Sequence, residues 1–416
     1  MNHIGIRLKL LKSRGLTMIS RIRLHAKYTA NIILGQLLKI IWIIPIKKER
    51  IMFCSSAGRQ YACNPKYIYE ELIKMYPDTF EIIWVLNDKH NAPFNTVCVK
   101  RNSIPYCFYM LTSKVIIDNN GFGAFLPYRK EQLKINTWHA SGAYKKVGLD
   151  AKLPTVEYKR LMREGKNTDI LLSACKRFSE VFPPSYHISQ TSVLEIGLPR
   201  NDILLQKNID IKRSVFDKLG IDLSKKLVLY APTFRGQSTN PERLDYLLDV
   251  EMCLNSLSER FGGDWIIGFR MHHTYIRNFL SIPNTISLSE YPDMQELLLS
   301  ADVLITDYSS CMWDFSLLKK PCFIYASDLE KYKADVDFYT PINQWPFPLS
   351  RNNNQLRKNI LMFQENLYIK AVKKHHNDLG IKETGEASNI MVNLIFDYCF
   401  NDYTKKDFLE SVHKKK

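Results

Sequence analysis

Short apolar runs alternate with helical stretches along nearly the whole chain, and this alternation leaves few folds open. Ile51–Cys54, Phe80–Leu86, Lys114–Asp118, Ile135–Trp138, Asp169–Ser173 and Ser192–Ile196 read as strands. Segments with helical spacing, such as 67–73 and 105–111, lie between them. A second set follows at Leu227–Tyr230, Trp265–Arg270, Val303–Thr306 and Cys322–Tyr325, with helices expected over 244–261, 294–301 and 310–319. Strands separated by helices pair in parallel and carry helices on both faces. Two such sets in 416 residues exceed what one hydrophobic core supports. The expectation is an α/β protein of two Rossmann-like domains, with ligands bound in the cleft outside the carboxyl ends of the strands. The expected divisions are a basic segment 1–50, an N-terminal domain 51–205, and a C-terminal domain 206–416 that includes the last helices.

Charge separates residues 1–50 from the rest. They hold eleven Lys or Arg and one acid, Glu49, which is +10 of the chain's formal +16. Such a block suits RNA or an anionic membrane surface. The apolar run over 32–46, with Trp42 inside it, is short for a span of ~20 residues and fits a helix lying on a bilayer. A core-packing helix with a solvated charged face is the plainer alternative. No nucleic-acid motif accompanies the charge. The nine cysteines are scattered without a C-x-x-C pair, so neither a disulfide framework nor a metal site is expected. No P-loop or dinucleotide fingerprint is present, and no cofactor is expected.

Several strand ends carry reactive groups. His139 follows an apolar strand and precedes Ala140-Ser141-Gly142, with Lys145 and Lys146 close behind. A histidine there can take a proton from a hydroxyl while the lysines hold an anion; it can equally satisfy loop backbone. Arg270 and His272 share one face of a strand end, where they could ground a pyrophosphate and His272 could act catalytically by protonating or polarising a leaving phosphate. Alternatively Arg270 pairs with a carboxylate and the histidine is a loop residue. Asp307-Tyr308-Ser309-Ser310 sits where a strand gives way to a helix, as a cap or as a cradle of N–H groups and hydroxyls for a phosphate. Thr233 and Arg235 stand where a diphosphate or ribose would be met. Arg59 and Asn64 follow the first strand, as acceptor contacts or as a polar turn. Gly197-Leu198-Pro199-Arg200-Asn201-Asp202 begins a helix with Asn201 or Asp202 as its cap, a structural reading, with Arg200 facing the cleft as the alternative.

Six strings, collinear over about residues 50–390, resemble the CDP-glycerol glycerophosphotransferase family of teichoic acid and capsule polyol-phosphate transferases. They are Gly58–Leu72, Asn136–Gly148, Gly197–Leu204, Leu229–Arg235, Arg270–His272 and Ala301–Pro321. The resemblance implies a GT-B-like fold with a central cleft. It also implies an enzyme peripheral to the cytoplasmic face of the membrane. The reaction implied is transfer from a CDP-polyol to an undecaprenyl-linked or polyol-phosphate acceptor, with release of CMP. His139 then matches a general base, His272 a group near the donor diphosphate, and Thr233, Ser309 and Ser310 donor phosphate contacts. Ala140-Ser141-Gly142 departs from the W-H-G-T-P form of many glycerol-phosphate members and is closer to polymerase-type and ribitol-phosphate members, which leaves the polyol open. His273 stands where a proline is common. The alternatives are a GT-B nucleotide-sugar glycosyltransferase and a basic RNA-binding protein. Self-association into a homo-oligomer is left open.

Overall fold

The computed structural model describes residues 18–151, 155–206, 210–233, 236–237, 240–241, 248–271 and 282–414. Two parallel sheets organise them. The first comprises β1 (Lys47–Cys54), β2 (Glu81–Val85), β3 (Val97–Val99), β4 (Ser113–Asp118), β5 (Leu133–Asn136), β6 (Ile170–Ser173) and β7 (Val193–Glu195), in spatial order β3-β2-β1-β4-β5-β6-β7. The second comprises β8 (Lys226–Tyr230), β9 (Trp265–Phe269), β10 (Thr285–Ser287), β11 (Val303–Thr306), β12 (Cys322–Tyr325) and β13 (Leu349–Ser350), in order β10-β9-β8-β11-β12-β13. All pairings in both sheets are parallel. Each therefore begins at its centre, winds outward to one edge, then returns and winds to the other. Order reverses beside β1 and β4 in the first sheet and beside β8 and β11 in the second. Those are the crevices where doubly wound sheets bind ligands.

The strands are near-continuous apolar runs because both sheet faces are covered. Ile51, Met52 and Phe53 of β1 and Leu227, Val228 and Leu229 of β8 are wholly buried. The sequence reading placed all the long strands but missed β3, β10 and β13. These are edge strands of two or three residues, too short to show a period.

The last two helices correct the expected division. Ala387–Phe400 and Lys405–Lys414 were assigned with the second unit, yet they lie on the first. Ala387–Phe400 packs on the helix Cys63–Met75, and the Asp202 carboxylate caps its start, accepting from Ala387 N (3.1 Å) and Ser388 N (2.7 Å). Lys405 pairs with Asp169 at 2.9 Å. The chain thus crosses between the sheets twice, and one continuous core joins them.

Part of that shared core is a pair of histidines on the helix Glu365–Leu379. His375 Nε2 lies 2.9 Å from the Tyr144 hydroxyl, and His376 Nε2 lies 2.7 Å from the Ser316 hydroxyl. Burial, more than the neighbouring charges, lowers both pKa values to about 4. Protons are therefore bound by the unfolded chain, and not by the native one, between about pH 6.5 and 4. The pair's contribution is complete above about pH 6.5 and is lost as pH falls toward 4. We expect unfolding midpoints in urea to drop over that window, by up to several kcal/mol in stability for the two groups. His376→Asn should flatten the fall. An unchanged slope in that variant would contradict the assignment.

Candidate active site

The turn after β5 is built under strain. Trp138 has φ +49°, a left-handed conformation in which a side chain that large is unfavourable. Three hydrogen bonds hold it: Trp138 N donates to Asn136 Oδ1 (3.0 Å), and Asn64 Nδ2 donates to the carbonyls of Thr137 (3.1 Å) and Trp138 (2.9 Å). Gly142 (φ +59°) completes the turn; a Cβ there would sit 2.9 Å from the Trp313 ring. Only glycine lets this loop press so closely on the second half of the molecule.

The strained turn delivers His139 to the cleft. Its Nδ1 lies 2.8 Å from the carbonyl of Asn119, just past β4. Nδ1 is therefore the protonated nitrogen, and Nε2 keeps the lone pair of a neutral imidazole. The ring is open to the cleft but crowded by its walls. Lost hydration first, then the charges of Arg200, Lys145 and Arg59, lower its pKa below the ordinary histidine value, against the raising effect of the Asn119 bond.

The second sheet supplies the opposite wall. Past β11, Asp307 is buried, and its Oδ1 accepts from Thr233 N (2.8 Å) and Tyr308 N (2.5 Å). It thus ties the ends of β8 and β11 together. This departs from the expected cap or phosphate contact: Ser310, not Asp307, is the cap of the helix Cys311–Ser316. Ser309 Oγ accepts from Cys311 N at 3.4 Å, whereas Ser310 makes no side-chain cap bond. Arg270 donates to the carbonyls of Leu288 (3.1 Å) and Tyr291 (2.7 Å), which braces its guanidinium against the cleft. Among the described residues it pairs with backbone, not with a carboxylate.

These groups meet in one cavity of about 260 Å³, whose lining includes His139, Arg200, Arg270, Ser309, Ser310 and Asp314. Of the groups proposed from sequence, the structure brings together His139, Arg270, Ser309 and Ser310. Thr233 adjoins the lining residues Ala231 and Pro232. His272 and Arg235 lie outside the described residues. Arg59 is exposed at the rim, its Nε bonded to Ser56 O (2.9 Å). Lys145 lines a smaller apolar cavity that shares Ser310. Two expected acceptor contacts are placed differently. Asn64 is wholly buried with its amide engaged as described, and Lys146 pairs with Asp337 across the two halves.

Sequence reasoning missed the hub behind the cavity. Asp314 is almost fully buried and accepts from four side chains: Ser141 Oγ (2.6 Å), Arg200 Nη2 (2.8 Å), Asn201 Nδ2 (3.1 Å) and Gln295 Nε2 (3.1 Å). Arg200 in turn donates through Nη1 to the carbonyl of His139 (2.7 Å). Thus the loop carrying the imidazole and the helix following the serines are indexed to one carboxylate. Glu383 sits beside this hub, accepting from Leu198 N (2.9 Å) and Asn201 Nδ2 (2.7 Å). Burial and the charge of Asp314 raise its pKa to about 8, against the lowering effect of its hydrogen bonds. It holds its proton at neutral pH and adds no second negative charge. A signal was present: an aspartate in the otherwise apolar Cys311-Met312-Trp313-Asp314-Phe315 needs partners wherever it is buried.

Besides Arg200–Asp314 and Lys146–Asp337, a further ion pair holds the halves along the cleft. Lys66, on Cys63–Met75, meets the Asp293 carboxylate, which also accepts from Tyr67 OH (3.0 Å) and from Gln295 N (2.8 Å) as the cap of the helix Met294–Ser300.

Comparison with known proteins gives this site a family. Residues 36–397 match the family CDP-glycerol:poly(glycerophosphate) glycerophosphotransferase. The chain is similar to the teichoic acid poly(glycerol phosphate) polymerase of Staphylococcus epidermidis, with 32% identity over 84% of this chain and 51% of that protein. It is also similar to the teichoic acid glycerol-phosphate transferase of Staphylococcus aureus, with 30% identity over 84% of this chain and 93% of that one. The chain therefore spans about half the length of the first of these relatives and most of the second. Among solved structures, that of the wall teichoic acid polymerase TagF superposes with a TM-score of 0.76 at 27% identity, covering 95% of this chain and 99% of that one. With 362 consecutive positions matched, the chain belongs to the CDP-glycerol:poly(glycerophosphate) glycerophosphotransferase family.

Proposed function

We propose that this protein transfers a polyol phosphate from a CDP-polyol to the hydroxyl of a lipid-linked or polymeric acceptor, with release of CMP. The relatives reported above act on glycerol phosphate by name, so CDP-glycerol is the first donor to test. The observation that carries the reading is the shared cavity. An imidazole with its lone pair free enters from one sheet, and the Ser309–Ser310 turn and Arg270 enter from the other. Two parallel sheets facing such a cleft have the GT-B arrangement. Asp314 offsets Arg200 in the lining, but Arg270 there and Arg59 and Lys145 near the imidazole leave the cleft cationic, which suits a diphosphate.

In this mechanism the donor pyrophosphate rests on Ser309, Ser310 and the Thr233 turn, with Arg270 neutralising its charge. His272 and Arg235, from the stretches following β9 and β8, complete the donor grip. The acceptor hydroxyl enters between Arg59 and Lys145. Nε2 of His139 takes its proton as the oxygen bonds to the polyol-side phosphorus. The bond from that phosphorus to the CMP oxygen breaks, and CMP leaves carrying the electron pair. Positioning and charge stabilisation carry most of the rate.

Incubation with CDP-glycerol or CDP-ribitol over a lipid-linked acceptor, with CMP release as the readout, tests the reading. Release with neither donor, alongside turnover of a nucleotide-sugar, would overturn it. The imidazole must be neutral to act, so activity falls with acid through its pKa. We expect the acid limb of kcat/KM below the ~6.5 of a free histidine. Lys145→Gln removes one nearby cation and should move that limb upward. A limb that stays in place would contradict the proposed proximity.

The helix Met18–Leu37 and the turn Leu38–Ile43 present exposed apolar side chains beside the basic N-terminus. No helix of the described residues is long and apolar enough to cross a membrane. We infer a peripheral attachment, which would hold the enzyme where a lipid-linked acceptor resides and raise its effective concentration.

A further inference from the structure

The N-terminal helix is fastened to the loop between β4 and β5 in a way that leaves a furrow beneath an apolar ridge. Leu37, Ile40 and Ile43 are 66%, 72% and 83% exposed, and Ile33 and Trp42 are exposed beside them. Such a patch in water loses ~25 cal/mol for every Å² it could bury, and contiguous patches of this kind mark interaction surfaces. Fastening is specific. Trp42 Nε1 donates to Pro127 O (2.8 Å), Arg129 donates to the carbonyls of Ile41 (2.7 Å) and Ile44 (2.6 Å), and Gly35 is buried against the loop. A Cβ at Gly35 would stand 2.1 Å from Phe125 O, so only glycine permits this approach.

Between helix and loop lies a cavity of about 160 Å³, lined by Ile32, Gln36, Lys39, Phe125, Leu126 and Arg163 among others. At about 30 Å³ per water this is roughly five waters' worth of space, enough for a phosphate with part of a glyceryl group. Among the described residues its charged lining residues are Lys39 and Arg163, which come from different elements, with no carboxylate. The Arg163 guanidinium lies 5.8 Å from the Tyr28 ring centroid and 5.9 Å from that of Phe125, which holds it over the apolar wall. The Lys39 ammonium lies 5.6 Å from the Trp42 ring. Two cations over an apolar furrow, beside a ridge of isoleucines and an interfacial tryptophan, complement one amphiphile: a phospholipid with net negative charge. A zwitterionic headgroup would bring its own cation against Lys39 and Arg163.

We propose that this cavity seats the headgroup phosphate of one anionic phospholipid between Lys39 and Arg163, while the ridge Ile33–Ile43 enters the acyl layer. The inference rests on the peripheral attachment proposed above and names the lipid that attachment selects.

Co-sedimentation of the full chain with phosphatidylcholine vesicles, with and without phosphatidylglycerol, tests it at fixed ionic strength. Wild type should partition better onto the phosphatidylglycerol vesicles. Lys39→Gln/Arg163→Gln should remove ~10- to 30-fold of that gain, the weight of two cations near a charged surface. Lys9→Gln/Lys12→Gln removes the same charge elsewhere in the basic segment and should keep most of the gain. Ile40→Ser/Ile43→Ser should weaken binding to both vesicle types. Equal losses in the two double-charge variants would overturn the headgroup site in favour of diffuse attraction. Displacement from vesicles by free glycerol phosphate would overturn the lipid as occupant. Failure of the wild type to bind either vesicle would instead overturn the attachment itself.

Discussion

His139→Ala is expected to lower CMP release from CDP-glycerol by ~100-fold or more, the usual weight of a general base, with little change in donor KM. The split follows from where the groups sit. In the proposed mechanism the donor cradle comes from the second sheet, whereas the imidazole comes from the first and would meet the acceptor hydroxyl. Folding should be spared. The ring opens on the cleft, and the strained turn beneath it is held by Asn136 and Asn64 rather than by the imidazole. Thermal unfolding within a few degrees of wild type would accompany the kinetic loss. Near-normal CMP release would remove His139 from the mechanism.

Asp314→Ala carries the largest expected cost in stability, about 3–5 kcal/mol, because it strands the buried guanidinium of Arg200 without its counter-charge. Urea midpoints read this directly. Asp314→Met/Arg200→Met should recover much of the loss, since apolar residues often replace a buried ion pair without penalty. Turnover should not recover with it. Arg200 holds the His139 carbonyl, and Asp314 ties that assembly to the helix after the serines. A stable, slow double variant would assign the pair to positioning. A double variant both stable and fast would reduce it to a packing element.

The fold was legible wherever burial was two-sided. Ile51–Phe53 and Leu227–Leu229 have no exposed face, so their sequences are uninterrupted apolar runs, and a run of that kind followed by a helix identifies a parallel strand. The edge strands Val97–Val99 and Leu349–Ser350 carry no such imprint. The placement of Ala387–Phe400 was not legible either, because a carboxylate distant in sequence, Asp202, decides it. At the site, His139 and the serines stood out as reactive groups at strand ends. The residues that aim them did not. Asn64, in the first turn of a helix, and Asp307, just past a strand, are polar side chains at element ends, a pattern equally suited to binding and to bracing. Only their partners across the fold show that they brace.

The central claim is that one cleft places a donor diphosphate from the second sheet before an imidazole from the first. A crystal structure of the His139→Ala variant soaked with CDP-glycerol tests it most directly. The account expects the pyrophosphate within hydrogen-bond reach of Ser309 and Ser310. It also expects the glycerol-side phosphorus to face residue 139 across a gap wide enough for one hydroxyl. A pyrophosphate bound outside this cavity, or a glycerol-side phosphorus turned away from residue 139, would contradict it.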